Sequence, residues 1–410
     1  MTTTIDNEHK TFNVPNLRFP EFEGEWEEHG LSEFLDFKNG LNPKPEKFGK
    51  GIKFISVMDI LNNTIITYDS IKACVDANNK EIDNYSVKMG DLLFQRSSET
   101  LEDVGRANVY MDEKPAIFGG FVIRGKKKGE YNPLFFKNLL ETPFSRRKII
   151  PMGAGAQHFN IGQEGLSKVK LYFAPINEQN KIAKILFLLD DRISTQNKII
   201  EDLKKLRSAI SKHLFERRDL LGTRIKLSKV AELKNGYAFQ SSKYNSLGEW
   251  KIITITNVTG ERYIKENDCN CILEIPNDIQ KHQKLKANDV LISLTGNVGR
   301  VSLCTEGLFL LNQRVGLLQL KVSEDREYIY QALSSHKFEN SMIACAQGAA
   351  QMNIGKGDVE NYILPYSFNR KNISIVASIL RAYDKYIINE TNLQSILHIQ
   401  KQYLLRQMFI

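Results

Sequence analysis

Amide, guanidinium and ammonium side chains gather in short glycine-containing stretches of this chain, a chemistry suited to the edges of bases and to phosphates. Arg96-Ser97-Ser98 and Thr295-Gly-Asn297-Val-Gly-Arg300 each follow an apolar run, which places them at the exposed end of a strand, and Arg106 stands in a Gly-Arg pair like that of Arg300. Asn312-Gln313-Arg314, together with Gln157, His158, Gln347 and Gln351, adds further side chains of the same kind. Asn and Gln pair bidentately with adenine and Arg with guanine, while glycine lets a backbone come close to a duplex. Lys38-Asn39-Gly40 and Lys234-Asn235-Gly236 read as turns whose lysine and amides can hold a phosphate, with Lys44 and Tyr237 beside them. For any one of these residues taken alone, a solvated turn or a structural cap is the better account. The weight rests on the set.

Other chemistries lack their residues. No clustered carboxylates with a lysine on a strand suggest a nuclease. Asn132-Pro133-Leu134-Phe135 is only superficially like the motif of amino-methyltransferases: it lacks a second proline, and no glycine-rich cofactor loop precedes it, so a proline starting a helix is the better reading. Gly153-Ala-Gly155-Ala-Gln-His158 places a histidine where a dinucleotide loop needs its third glycine. There is no phosphate-binding G-x-x-x-x-G-K and no H-E-x-x-H. The cysteines, Cys74, Cys269, Cys271, Cys304 and Cys345, form no C-x-x-C pair, and reduced thiols with no metal are expected. A formal net charge of +8 and a pI near 9.0 suit a polyanionic partner without proving one. The first ten residues lack an apolar targeting run and no stretch is long enough to span a bilayer, so a soluble cytoplasmic protein with no membrane contact is expected.

The elements that must position these loops occur twice. Leu31-Ser-Glu-Phe-Leu-Asp-Phe-Lys-Asn-Gly40 lines up with Leu227-Ser-Lys-Val-Ala-Glu-Leu-Lys-Asn-Gly236, and Lys88-Met-Gly-Asp-Leu-Leu-Phe94 with Lys286-Ala-Asn-Asp-Val-Leu-Ile292. Gly105-Arg106 falls on Gly299-Arg300, and Gly155-Ala-Gln-His-Phe-Asn-Ile-Gly162 on Gly348-Ala-Ala-Gln-Met-Asn-Ile-Gly355. Asp190 likewise falls on Asp384. The offset holds near 195 residues, so the chain is two copies of one unit. Each unit begins with a mixed part, with strands at 252–256 and 290–293 and helices at 133–145 and 325–338, and ends in one long helix. The first long helix is capped near Asn177 and stops by Gly222. Its apolar stripe includes Ile185, Leu189, Ile193, Leu203, Leu206 and Ile210, and that of the second includes Ile379, Tyr383, Ile387, Leu393, Leu397 and Leu404. Neither helix can bury its stripe alone. Antiparallel packing of one on the other as a coiled-coil spacer is the economical solution, with two hairpins docked on their own domains as the competing one.

Taken in order, these features resemble the specificity subunit of type I restriction-modification systems. The residues that carry the likeness are Pro15-Asn-Leu-Arg-Phe-Pro20 before Trp26, the doubled Leu-Ser…Lys-Asn-Gly start, the Gly-Asp-Leu-Leu-Phe and Asn-Asp-Val-Leu-Ile strands with their Gly-Arg loops, and Pro175-Ile-Asn-Glu-Gln-Asn-Lys-Ile-Ala opening the helix. Pro365-Tyr-Ser-Phe-Asn-Arg-Lys-Asn departs from that last pattern and blurs the start of the second helix. The resemblance implies an α+β chain with a tail over 1–16, target recognition domains over 17–175 and 222–367, and long helices over 176–221 and 368–410, in pseudo-twofold arrangement. It further implies that each domain reads one half of an asymmetric bipartite site on double-stranded DNA. Two modification subunits would then methylate adenine and restriction subunits would cut, with S-adenosylmethionine, ATP and Mg on those partners and no cofactor here. A non-catalytic coiled-coil scaffold leaves the doubled mixed domains unexplained, and a degenerate fused DNA methyltransferase lacks its cofactor motif.

Overall fold

The computed structural model describes residues 13–347 and 352–410, which leaves most of the tail and Gln351 outside the description. Two compact units result, Met1–Asn197 with Leu393–Ile410, and Lys198–Asn392. This division differs from five consecutive segments, because each unit takes part of both long helices.

In unit 1 four strands, β1 (Leu35–Asn39), β2 (Leu92–Gln95), β3 (Ala107–Val109) and β4 (Val122–Lys127), form an antiparallel sheet in the order β1-β4-β2-β3. Strand β2 is buried at every position, as a continuous apolar run covered on both faces requires. Unit 2 repeats this sheet with β5 (Ala231–Asn235), β6 (Val290–Ser293), β7 (Val301–Leu303) and β8 (Val315–Leu320), in the order β5-β8-β6-β7. A second small sheet accompanies each, built on a parallel pair: Phe54 opposite Ile117 in unit 1, Ile252 opposite Leu310 in unit 2. The strand expected at 252–256 ends at Ile253, since Thr254 and Asn257 close a turn through Asn257 Oδ1.

Each helix expected within a mixed part is two helices. In unit 1 these are α1 (Pro133–Glu141) and α2 (Pro143–Ile149), broken where the Thr142 hydroxyl caps Ser145 N and Pro143 has no amide to continue α1. The long helix α3 (Ile176–Glu216) follows. In unit 2, Ser335 separates α4 (Arg326–Leu333) from α5 (His336–Ala346) by the same capping bond, to Phe338 N. The last helix is α6 (Arg370–Gln407). Helix α3 therefore stops short of 221: Arg217 closes on the Asp219 carboxylate and the chain turns before Gly222.

The helices are not a free-standing pair. In unit 1, Ile182, Ala183 and Leu186 of α3 and Leu405 of α6 belong to the domain core, as do Met408 and Phe409 just beyond it, around Trp26 and Phe135. Phe409 stacks on Phe135 at 5.2 Å, and Trp26 meets both edge-on. Arg18 makes a bidentate pair with the fully buried Glu178, at 2.8 and 2.7 Å, which pins the segment before Trp26 to the start of α3. Direct helix–helix packing in unit 1 comes from Leu189, Ile193 and Leu397, with Leu393 and Leu404 alongside. In unit 2, Leu214 of α3 and Ile373, Val376, Ala377 and Leu380 of α6 join that domain's core, with Ile210 packed against it. Both alternatives for the helices thus hold in part: they touch each other and dock on their own domains.

The buried face also corrects the stripe. Ile182, Leu186, Leu189, Ile193, Gln196 and Ile200 are buried at alternating steps of four and three, a regular heptad seam. Ile185, Leu206 and Ile379 are exposed, and Leu203, Tyr383 and Ile387 are half-buried. Ile185 precedes the true seam residue Leu186, and the polar Gln196 inside the seam conceals the register. Among the described residues no helix is long and apolar enough to cross a membrane.

Candidate nucleic-acid interface

In unit 1 the ends of β1, β2 and β4 converge. Gly40 lies so close to the loop before β4 that a Cβ there would sit 2.1 Å from Gly119 O, and Gly40 N donates to Val122 O at 3.1 Å. Arg96, just past β2, binds that loop twice, its backbone N to Phe121 O at 2.9 Å and its Nη1 to Gly120 O at 3.2 Å. Its carbonyl accepts from Ile161 N at 2.9 Å, and Ser97 Oγ bonds to Asn160, so the Gly155–His158 loop is drawn to the same end of the sheet. Gln157 and His158 are exposed on it.

Unit 2 builds the same corner. A Cβ on Gly236 would lie 2.2 Å from Asn312 O, Tyr237 N donates to Leu311 O at 2.8 Å, and Gln313 N donates back to Tyr237 O at 2.9 Å. Leu294 N donates to Arg314 O at 3.0 Å, as Arg96 N does to Phe121 O. Thr295 Oγ1 meets Asn353 Oδ1 at 3.1 Å, and Gly296 N donates to Met352 O at 3.0 Å. Asn297, Gln313 and Arg314 are exposed, while Asn312 is half-buried and turns its Oδ1 to Arg314 N. Tyr237 OH donates to Asp278 Oδ1 at 2.8 Å, which raises the phenol's pKa.

Several expected readers are occupied. Lys38-Asn39 and Lys234-Asn235 are the ends of β1 and β5, not turns; only the glycine bends. Lys38 Nζ donates to Asn84 O at 2.9 Å over the Tyr85 ring, and Lys234 pairs with Glu232 at 2.8 Å. Glu232, between Lys234 and Lys356, is held down to about 2 by their hydrogen bonds. Ser98 is buried in the bridge to Phe159. Arg106 is held by Asp103 at 2.6 Å and Arg300 by Glu339 at 3.5 Å, so these two cations brace their loops. Beneath the first of them, Arg146 donates to Glu102 O and Val104 O, and burial, with Arg106 nearby, pushes its pKa down to about 10. Lys44 is exposed at the start of a short 3-10 turn, and Gln347 is exposed at the end of α5.

One exposed side chain of the corner was not expected from the sequence. Phe121, 66% exposed, forms the tip beside Arg96 and stands where unit 2 carries Arg314. The signal was present in Gly119-Gly120-Phe121, a glycine pair ahead of a buried strand, but an aromatic there reads as core. Asn160 and Asn353, too, act as struts that only the shared Asn-Ile pattern marked.

The sequence matches the type I restriction modification DNA specificity domain twice, over residues 23–205 and 223–398. It is 25% identical over 377 residues to the putative type I restriction enzyme MjaX specificity subunit of Methanocaldococcus jannaschii, covering 87% of this chain and 86% of that one. The MjaVIII specificity subunit of the same organism is 24% identical over 382 residues, covering 85% and 83%. Among solved structures, the type I restriction-modification S subunit from M. genitalium superposes with a TM-score of 0.60 at 16% identity, covering 97% of this chain and 99% of that one. That likeness bears on the fold.

Proposed function

The chain belongs to the type I restriction-modification DNA specificity family, and from that premise we propose that its two loop corners read the two halves of one bipartite DNA site. The observation that carries this reading is the repetition of one scaffold with different tips. The glycine approach, the strand-end bond to the neighbouring loop and the Asn strut recur in both units, while Phe121 is replaced by Arg314 and the Gln157-His158 pair by other residues. Two identical frames with unlike tips suit two unlike half-sites. Hydrogen bonds from Gln313 and Arg314 would recognise base edges, and Phe121 would meet a thymine methyl or an opened base step.

Catalysis in this reading belongs to partners: two modification subunits carrying S-adenosylmethionine, and restriction subunits using ATP and Mg. The exposed apolar residues of the long helices support partner docking, with Phe187 and Leu188 on α3 and Ile375 and Tyr386 on α6. Mapping methylated adenines in DNA from cells that carry this chain with its modification partner tests the proposal. The expected result is a two-part asymmetric motif with unspecified bases between the parts. A single continuous motif, or a motif unchanged when Phe121 and Arg314 are both replaced by Ala, would overturn it.

A further inference from the structure

Beside the reading corner of unit 2 a shallow groove of roughly 570 Å³ runs along the sheet, and cations line it. One end is Lys234, next to the Gly236 turn, and the other is Arg326, which opens α4. Between them stand Lys281, Lys284 and Lys286, all exposed. Lys234 is already paired with Glu232. Among the described residues Lys281, Lys284, Lys286 and Arg326 form no ion pair, and Asp289 is the one carboxylate on the lining. The segment that bears the lysines is fixed to the corner. His282 Nε2 donates to Asn235 O at 3.1 Å and Gln283 Nε2 to the same oxygen at 3.5 Å, against the strand end that carries Gly236. On its other side Leu285 N donates to Phe309 O at 2.9 Å.

Unit 1 has the same segment without the charge. Ser86 bridges Ile117 there as Lys284 bridges Leu310, and Gly90 and Asn288 share a positive φ, 89° and 67°, ahead of Asp91 and Asp289. That register sets Lys281 on Asp83, Lys284 on Ser86 and Lys286 on Lys88. Residues 281–286 therefore hold three lysines and no carboxylate, whereas 83–88 hold one aspartate and one lysine. Cations near the unit 1 segment are also engaged: Lys38 with Asn84 O, Arg124 with Ser86 O and Lys127 with Tyr131 O, which leaves Lys126 exposed on β4.

A row of unpaired ammonium groups leading away from a base-reading corner suits one strand of DNA. Lysine binds phosphate as a point charge, and protein–protein interfaces are poor in lysine. The apolar residues of the lining, Val290, Leu317 and Leu318, are buried, so a partner meets charge and amides instead. From Leu317 to Leu320 the lining follows about 10 Å of strand. That length equals the axial rise of about three nucleotides of one DNA strand.

We propose that Lys281, Lys284 and Lys286 form a phosphate track that holds one DNA strand beside the half-site read by unit 2, with no equal in unit 1. The proposal deepens the DNA-reading function and rests on it. Grip and reading are then shared unequally: unit 2 supplies more of the affinity that ignores sequence, and unit 1 depends more on its tips.

The test compares the assembled complex with its triple variant Lys281→Gln, Lys284→Gln, Lys286→Gln over about 50–200 mM salt. One duplex carries the mapped motif and a second lacks it. Each lost phosphate contact lowers the slope of log affinity against log salt by about 0.9, so the slope should flatten by about 2–3. The wild-type advantage should then shrink about 40-fold across that range. The factor should be the same on both duplexes, and the methylated motif should not change. In unit 1, Lys80→Gln with Lys88→Gln should flatten the slope by less than about 1. An unchanged slope in the triple variant, with a bipartite motif intact, overturns the track and spares the reading. A flattened slope with a single continuous motif does the reverse. Loss confined to the motif-bearing duplex would make the lysines base readers, and weaker capture of a modification subunit at unchanged slope would make the groove a protein surface. Either overturns the track, and equal flattening by the unit 1 pair overturns its asymmetry.

Discussion

Two polar clasps hold the long helices to their domains, one in each unit, and they are built from matched positions with unlike residues. In unit 1, Lys401 of α6 pairs with Asp190 of α3 at 2.8 Å and reaches Glu141, at the end of α1, at 3.7 Å. In unit 2, Arg207 of α3 pairs with Asp384 of α6 at 3.1 Å and reaches Ser334, after α4, at 3.0 Å. The repeat aligns Lys401 with Arg207 and Asp190 with Asp384, so each copy's helix lends its carboxylate to the other copy's cation. Unit 2 then adds a second guanidinium. Arg262 joins Asp384 at 2.8 Å and binds Glu327 through both nitrogens, while Gln331 bridges Glu327 and Asp384. A planar guanidinium can serve two carboxylates at once, whereas an ammonium acts as a point charge. The same topological joint is therefore an open chain, Lys137–Glu141–Lys401–Asp190, in one unit and a closed guanidinium network in the other.

The largest break is expected at Arg262. Its side chain is 9% exposed and Asp384 8%, so Arg262→Gln leaves two carboxylates facing each other with one cation fewer. Removing one partner of a buried network costs about 3–5 kcal/mol. Lys401→Met, in the simpler clasp, should cost less, about 1–3 kcal/mol, since it strands mainly Asp190. Hydrogen exchange of α4 and of α1 reports on each joint by itself. Equal loss in both variants would mean that the added guanidinium carries no extra stability.

The reading corners should differ next. Arg314→Ala is expected to relax base discrimination in the half-site read by unit 2 by about 1–3 kcal/mol, as for a bidentate contact. Phe121→Ala should act on the other half-site, by about 1 kcal/mol, the lower end for an aromatic contact to a base. Competition binding with half-site variants, using the assembled complex at fixed salt, separates them. An equal loss on all sequences would make either residue a phosphate or structural contact.

Acid provides a finer comparison. Burial pushes the Glu327 carboxyl up, but hydrogen bonds from Arg262 and Gln331 outweigh it, and its pKa ends below the usual value. A carboxylate depressed in the folded state contributes stability that is complete above its unfolded pKa, near 4.3, and is lost as pH falls through the lower folded value. Asp91 and Asp289, matched in the two units, are both pushed up by burial, so they act in the same direction in each unit and do not distinguish them. Protection of α4 should fall faster than that of α1 below about pH 4.3, and Glu327→Gln should remove the difference.

Much of this was legible in the sequence, for physical reasons that vary by residue. The repeat showed because strands such as Val290–Ser293 are buried at every position and admit few residue types. The breaks at Thr142-Pro143 and Ser334-Ser335 follow from local capping and could have been read. The clasps could not: Arg262 meets Glu327 and Asp384 across long sequence separations. Arg106 and Arg300 looked alike as DNA readers, yet both are tied to carboxylates, Asp103 nearby and Glu339 on α5. The helix seam was misplaced by one residue at Ile185 because apolar residues crowd both sides of Leu186.

That misplacement yields the smallest expected effect and a discriminating one. Ile185 is 38% exposed and Ile379 37%, at matched positions of α3 and α6. Neither packs in a core, so Ile185→Ala and Ile379→Ala should each change the stability of the isolated chain by no more than about 0.5 kcal/mol. Leu186→Ala and Leu380→Ala, one residue on, should each cost about 2–5 kcal/mol, since both parent side chains are fully buried. If the exposed faces receive modification subunits, the silent pair becomes visible only on assembly. Each of the two variants should then weaken capture of one of two modification subunits, and the double variant both, as native mass spectrometry of the complex would count. An assembly with both subunits retained at unchanged affinity in the double variant would place the docking surface elsewhere. A stability loss above about 1 kcal/mol in the isolated chain would restore Ile185 to the seam.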